Sequence, residues 1–142
     1  MQESKNDINE NNVSSGITFM LEKTDTGYSS YCEEYPIFST GKSMTELINN
    51  VYEASELYFS ASESECKSAE IKFEIDFKQF FQYYKILNAR YLAERIGMNP
   101  TLLSQYVQGR KKPSQKQTEK ILKGIQQIGK ELSELALISK EK

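Results

Sequence analysis

The sequence predicts an α+β chain, with a small βββαβ N-terminal domain followed by an all-α domain built around a helix-turn-helix. Three observations predict it. Apolar residues alternate along short stretches up to Asp76, whereas beyond it they recur three and four residues apart. Charge divides at the same point: residues 1–76 hold 5 Lys/Arg against 15 Asp/Glu, net −10. Residues 77–142 hold 13 Lys/Arg against 5 Asp/Glu, net +8, so the formal −2 of the whole chain conceals two opposite halves. Helix stop and start signals are also packed closely between Gly97 and Ser114.

The first half reads as follows. Met1 to Ser15 is polar and Asn-rich, and is read as a disordered arm over 1–15. In Gly16 to Lys23, Ile17, Phe19 and Leu21 alternate with Thr18, Met20 and Glu22, which predicts a half-buried strand. Thr24-Asp25-Thr26-Gly27 is a turn, and Tyr28 to Cys32 a second strand completing a hairpin. A third short strand follows Pro36, near Ile37 to Thr40. Ser43-Met44-Thr45-Glu46 is a capping box, in which the Ser hydroxyl and the Glu carboxylate each satisfy an orphan N–H. The helix it opens buries Met44, Leu47, Ile48, Val51, Ala54, Ser55 and Tyr58, and ends near Phe59. Ser60 to Ser68 reads as a loop, and Glu70 to Asp76 as a fourth strand, with Ile71, Phe73 and Ile75 on one face. The N-terminal domain therefore spans 16–76.

The second half, 77–142, reads as four helices. The first spans Phe77 to Ile86, and the second Ala89 to Ile96, closed by Gly97. The third is capped by Asn99, has Pro100 at its first position, runs over Thr101 to Gln108 and is closed by Gly109. The fourth opens at a capping box, Ser114 to Gln117, and runs to about Ile138, with Ile121, Ile125, Ile128, Leu132 and Leu135 spaced 4, 3, 4 and 3 apart.

Composition excludes several chemistries. With no His, Ser-His-Asp and Cys-His catalysis and His-ligated zinc are absent. Cys32 and Cys66 are not a CxxC pair and are read as free thiols. Adjacent Glu33 and Glu34 on a strand would point to opposite faces and cannot chelate together. Glu53 and Glu56 read as solvated charges. The expectation is therefore a protein that is not an enzyme and uses no cofactor or metal. With no signal-like apolar core at the start and no run of 18 apolar residues, it is expected in the cytoplasm.

The recognition chemistry lies between Tyr91 and Ser114. On the third helix, Thr101, Ser104, Gln105 and Gln108 are short and polar, and such side chains reach base edges from a helix in the major groove. Asn99 and Pro100, at the leading end, are counted with them as DNA contacts. Arg110-Lys111-Lys112 follows as a cation cluster suited to phosphate, and Arg90 is assigned the same role. The stretch "LAERIGMNPTLLSQYVQGRKKPS" resembles the phage-repressor (Cro-like) helix-turn-helix over roughly Phe77 to Leu132. That resemblance implies that Thr101 to Gln108 is the recognition helix. The family often carries Gln at the start of the preceding helix, where Ala89 and Arg90 stand here.

The acidic half resembles the HicB antitoxin family. The motifs that carry this are Asp25-Thr26-Gly27-Tyr28, Tyr31-Cys32-Glu33-Glu34-Tyr35-Pro36, Gly41-Lys42-Ser43 and Glu53-Ala54, in that order. It departs where Glu33 replaces a common Pro and Ile37 a common Gly. The resemblance implies a degenerate ribonuclease-H-like domain without nuclease activity. It also implies that this domain binds and neutralises a small basic mRNA-cleaving (HicA-type) toxin, while the helix-turn-helix represses the protein's own operon. Tyr28, Tyr31, Glu33, Glu34 and Tyr35 are the candidate toxin contacts, aromatic residues being enriched at interface centres. The expected partners are operator double-stranded DNA, the toxin and further copies of the chain, in a homodimer or a higher oligomer, without a membrane. The competing reading is a stand-alone regulator whose acidic domain senses a ligand or only oligomerises.

Overall fold

Alternation along Ile17–Thr24 (β1) puts Phe19 and Leu21 on one face, both buried, and a two-residue turn returns the chain as Gly27–Cys32 (β2). These belong to a computed structural model that describes residues 16–62 and 70–137. The arm over 1–15, Cys66 and Ile138 lie outside the described residues. Strand β2 pairs antiparallel with Phe38–Gly41 (β3), and β1 pairs parallel with Ile71–Ile75 (β4), giving the order β3-β2-β1-β4. The chain is thus an α+β protein with a four-stranded mixed sheet and, among the described residues, five helices.

The long helix Met44–Ser62 (α1) begins where the capping box requires. Ser43 Oγ accepts from Glu46 N at 3.1 Å. Glu46 Oε1 accepts from Lys42 N, one residue before the cap, at 3.2 Å. Leu47, Val51, Ser55 and Phe59 are buried at intervals of four, against Ile17, Phe19, Leu21, Cys32 and Ile37. The helix runs past Phe59 into the stretch expected as a loop, because Phe59 is itself core and its turn must be completed. The hydroxyls of Ser30 and Ser55 are buried without a hydrogen-bond partner.

The chain divides into two compact units, one ending at Tyr83 and the other starting at Tyr84. The boundary expected at Asp76 and Phe77 therefore moves. The helix Phe77–Tyr83 (α2) ends before Ile86 and belongs to the first unit. Its hydrogen bonds explain why. Asp76 Oδ1 caps it by accepting from Gln79 N at 3.1 Å. The Gln79 side chain then pairs with Lys23 as a neighbouring strand would, accepting from Lys23 N at 2.9 Å and donating to Lys23 O at 2.8 Å. Tyr83 Oη donates to Asp25 at 2.9 Å, and Phe77 and Phe81 are buried. With this helix counted, the first unit has 6 Lys/Arg against 15 Asp/Glu, net −9, and the second 12 against 5, net +7.

The second unit has three helices among its described residues: Ala89–Ile96 (α3), Pro100–Val107 (α4) and Gln115–Ser133 (α5). Its core is Leu92, Ala93, Met98, Leu103, Tyr106 and Ile121. Gly97 turns the chain after α3 with φ 72°, the left-handed conformation that favours glycine. Helix α5 ends at Ser133, short of the expected Ile138, so Leu135 falls beyond it. A Cβ on Gly124 would stand 2.3 Å from Ile96 Cγ2, so the glycine is what lets α5 lie against α3.

Two predictions follow from the packing. Gly124→Ala should destabilise the second unit by about 1–3 kcal/mol through overpacking, despite alanine's helix preference. Gly129→Ala on the same helix, where a Cβ meets nothing within 4 Å, should stabilise by up to about 1 kcal/mol. Denaturant melts of both variants give the comparison. In the first unit, burial and then the nearby Asp76 carboxylate push the Glu22 carboxyl above its ordinary value. The folded state therefore holds that proton more tightly, and stability falls as pH rises from the ordinary carboxylate value through the raised one. Glu22→Gln should stabilise the protein at neutral pH, and the gain should vanish once the pH drops below the ordinary carboxylate range.

Candidate nucleic-acid interface

The leading end of α4 is fixed by its cap. Asn99 Oδ1 accepts from Thr101 N at 2.8 Å and from Leu102 N at 3.4 Å. Pro100 at the first position needs no such partner. Asn99, expected both as the cap and among the DNA contacts, thus commits its side-chain oxygen to the helix. Leu103 and Tyr106 turn inward and are buried. Thr101, Ser104, Gln105 and Gln108 share the opposite face, at spacings of 3, 1 and 3. Thr101 and Gln108 are exposed, and Ser104 and Gln105 are half-buried. Gln108 Nε2 donates to Ser104 Oγ at 3.2 Å, which ties two of the four together. The whole of α4 is uncharged, so this face offers donors and acceptors without a net field.

The cations that follow are held by the helix end. Gly109 has φ 77°. Gly109 N donates to Tyr106 O at 3.1 Å and Arg110 N to Gln105 O at 2.9 Å, the pattern of a Schellman closure. The closure fixes where Arg110 leaves α4. Arg110, Lys111 and Lys112 are all exposed. On α3, Asn88 Oδ1 caps the helix by accepting from Tyr91 N at 3.1 Å, and Arg90 is exposed beside it. Tyr91, on the same helix, is 64% exposed and was given no role from the sequence. The only signal for it was a position in the helix that the apolar pattern did not require. Near the far end of α3, Arg95 pairs with Glu131 of α5. The Arg95 guanidinium and then Gln127 hold the Glu131 carboxyl below its ordinary range.

The candidate contacts of the first unit do not form one patch. Tyr28 and Tyr31 lie three apart on β2 and so face opposite sides of the sheet. Tyr28 packs at the edge of the core beneath α1, with Lys23 Nζ 5.0 Å from its ring centroid. The same ammonium lies 5.1 Å from the Tyr83 ring. Glu34 is exposed but folds back on the strands, its Oε1 accepting from Thr18 N at 2.9 Å and from Cys32 Sγ at 3.4 Å. Burial pushes the Cys32 thiol up. Tyr35 leans on Phe59 and Tyr58, with ring centroids 5.0 and 5.7 Å away. Glu33 is exposed, and its backbone N–H closes onto Thr18 O at 3.0 Å. Phe38, opposite Tyr31 on the edge strand and 71% exposed, was not foreseen. Sequence reasoning placed the third strand there but gave its side chains no role.

Among the described residues no three His, Cys, Asp or Glu side chains gather as metal ligands, and no helix is long and apolar enough to cross a membrane. Comparison with protein-family models, with curated proteins and with solved structures found no match.

The two kinds of contact in the second unit should separate by mutation. Gln105→Ala should lower duplex affinity at one base position, by about 1–3 kcal/mol for the preferred base. Arg110→Ala and Lys111→Ala should weaken binding to all sequences and flatten its salt dependence by about 0.9 per lost contact. Anisotropy titrations at several salt concentrations measure both.

Proposed function

We propose that the chain is the antitoxin and autorepressor of a type II toxin–antitoxin pair, similar in plan to the HicB family. In this reading the unit ending at Tyr83 is a HicB-like βββαβ domain that binds a small basic toxin and blocks its cleavage of mRNA. The unit from Tyr84 is a phage-repressor-type helix-turn-helix that binds operator DNA. The observation that carries the reading is an uncharged polar face on α4 running directly into Arg110-Lys111-Lys112, on a unit of net +7 joined to a unit of net −9. A surface that negative speeds encounter with a cationic protein, and one that positive does so with phosphate.

A homodimer completes the scheme, because two α4 helices then meet half-sites one helical turn apart. Leu132 and Leu135, 58% and 75% exposed near the end of α5, support such pairing. The protein then works in the bacterial cytoplasm, at the nucleoid when bound to its operator. The direct test is co-expression with the small basic protein encoded beside its gene, followed by pull-down and a growth assay. A complex and relief of growth arrest are expected. No complex and no relief would refute the antitoxin role.

A further inference from the structure

We propose that the lysine face of α5 is a second phosphate-contact surface, so that the DNA footprint extends beyond α4 and the loop after it. This rests on the DNA-binding reading. Ser114, Lys116, Gln117, Glu119, Lys120 and Lys123 line an open groove of about 700 Å³ along the first half of α5. Lys116, Lys120 and Lys123 are spaced 4 and 3 apart and so form one stripe, facing away from buried Ile121. None of the three has a carboxylate within ion-pair distance among the described residues. Lys120 Nζ donates to Gly97 O at 3.4 Å, which brings the stripe to the turn that leads into α4. The groove has a single carboxylate, Glu119.

Chemistry selects the ligand. Three exposed ammonium groups beside neutral hydroxyl and amide side chains suit a repeating anion, and no aromatic side chain lines the groove for a base to stack on. Lys116 to Lys123 span about 10 Å of helix, the axial length of about three phosphates on one DNA strand. The cluster also continues the charge of Arg110 and Lys111, which leave α4 a few residues earlier in the chain. A duplex backbone is therefore favoured over single-stranded RNA, whose recognition relies on stacking that this groove does not offer.

The test uses the full chain and a mixed-sequence duplex of about three helical turns, titrated by anisotropy across salt concentrations. The triple variant Lys116→Gln, Lys120→Gln, Lys123→Gln should bind more weakly, with a salt slope shallower by about 2–3. Replacing the same three lysines by Arg should restore the slope, and far-ultraviolet circular dichroism should match wild type in both variants. A triple Gln variant with wild-type slope and affinity would overturn this inference and leave the α4 reading standing. Wild-type protein that binds no duplex even at low salt would overturn both. Tighter binding to single-stranded RNA, lost in the Gln variant, would overturn the assignment to duplex DNA.

Discussion

The exposed face of α4 depends on how closely α3 can be packed from both sides. Helix α3 touches α4 on one flank and α5 on the other. Ala93 is fully buried within this core, and Gly124 removes the Cβ that would otherwise strike Ile96. With these two small residues the three helices share one core around Leu103 and Ile121. A larger residue at either point would lift a helix, and α4 would turn its polar face elsewhere. Caps then set where each helix starts: Asn88, Asn99 and Ser114 each give a side-chain oxygen to orphan N–H groups.

Charge segregation accompanies this geometry. The unit of net −9 repels phosphate, and the unit of net +7 attracts it. A chain with the same charges mixed throughout would have neither preference. In the first unit, candidate contact residues also have internal duties. Glu34 holds Thr18 N, Tyr35 packs on α1, and Tyr28 shares Lys23 with Tyr83. Tyr31 and the exposed Phe38 opposite it on β3 share one face of the β2–β3 pair.

Much of the fold was legible in the sequence because its signals are local. Period-two alternation in Ile17 to Leu21, the Ser43 box, Gly97, Asn99-Pro100 and Ser114 all act within a few residues. What was not legible is long-range. Gln79 closes β1 across 56 positions of sequence, and a glutamine on a short helix gives no hint of that. The unit boundary was therefore placed seven residues early. Gly124 reads in sequence as a flaw in a helix, and only Ile96 above it explains its presence. Asn99 was legible as a cap and as a DNA contact, and the geometry commits its oxygen to the first role. The lysines at 116, 120 and 123 carry no local signal of a site, and the groove and Gly97 give them a setting.

The central claim is that the two units divide the work by charge, with nucleic acid met only by the second. The most direct measurement is a duplex DNA titration of the isotope-labelled full chain, followed through backbone amide shifts. The account predicts changes on α4, the loop over Gly109 to Lys112 and the start of α5, with the amides of β1 to β4 and α1 unmoved. Shifts concentrated in the first unit, or none anywhere at low salt, would contradict it.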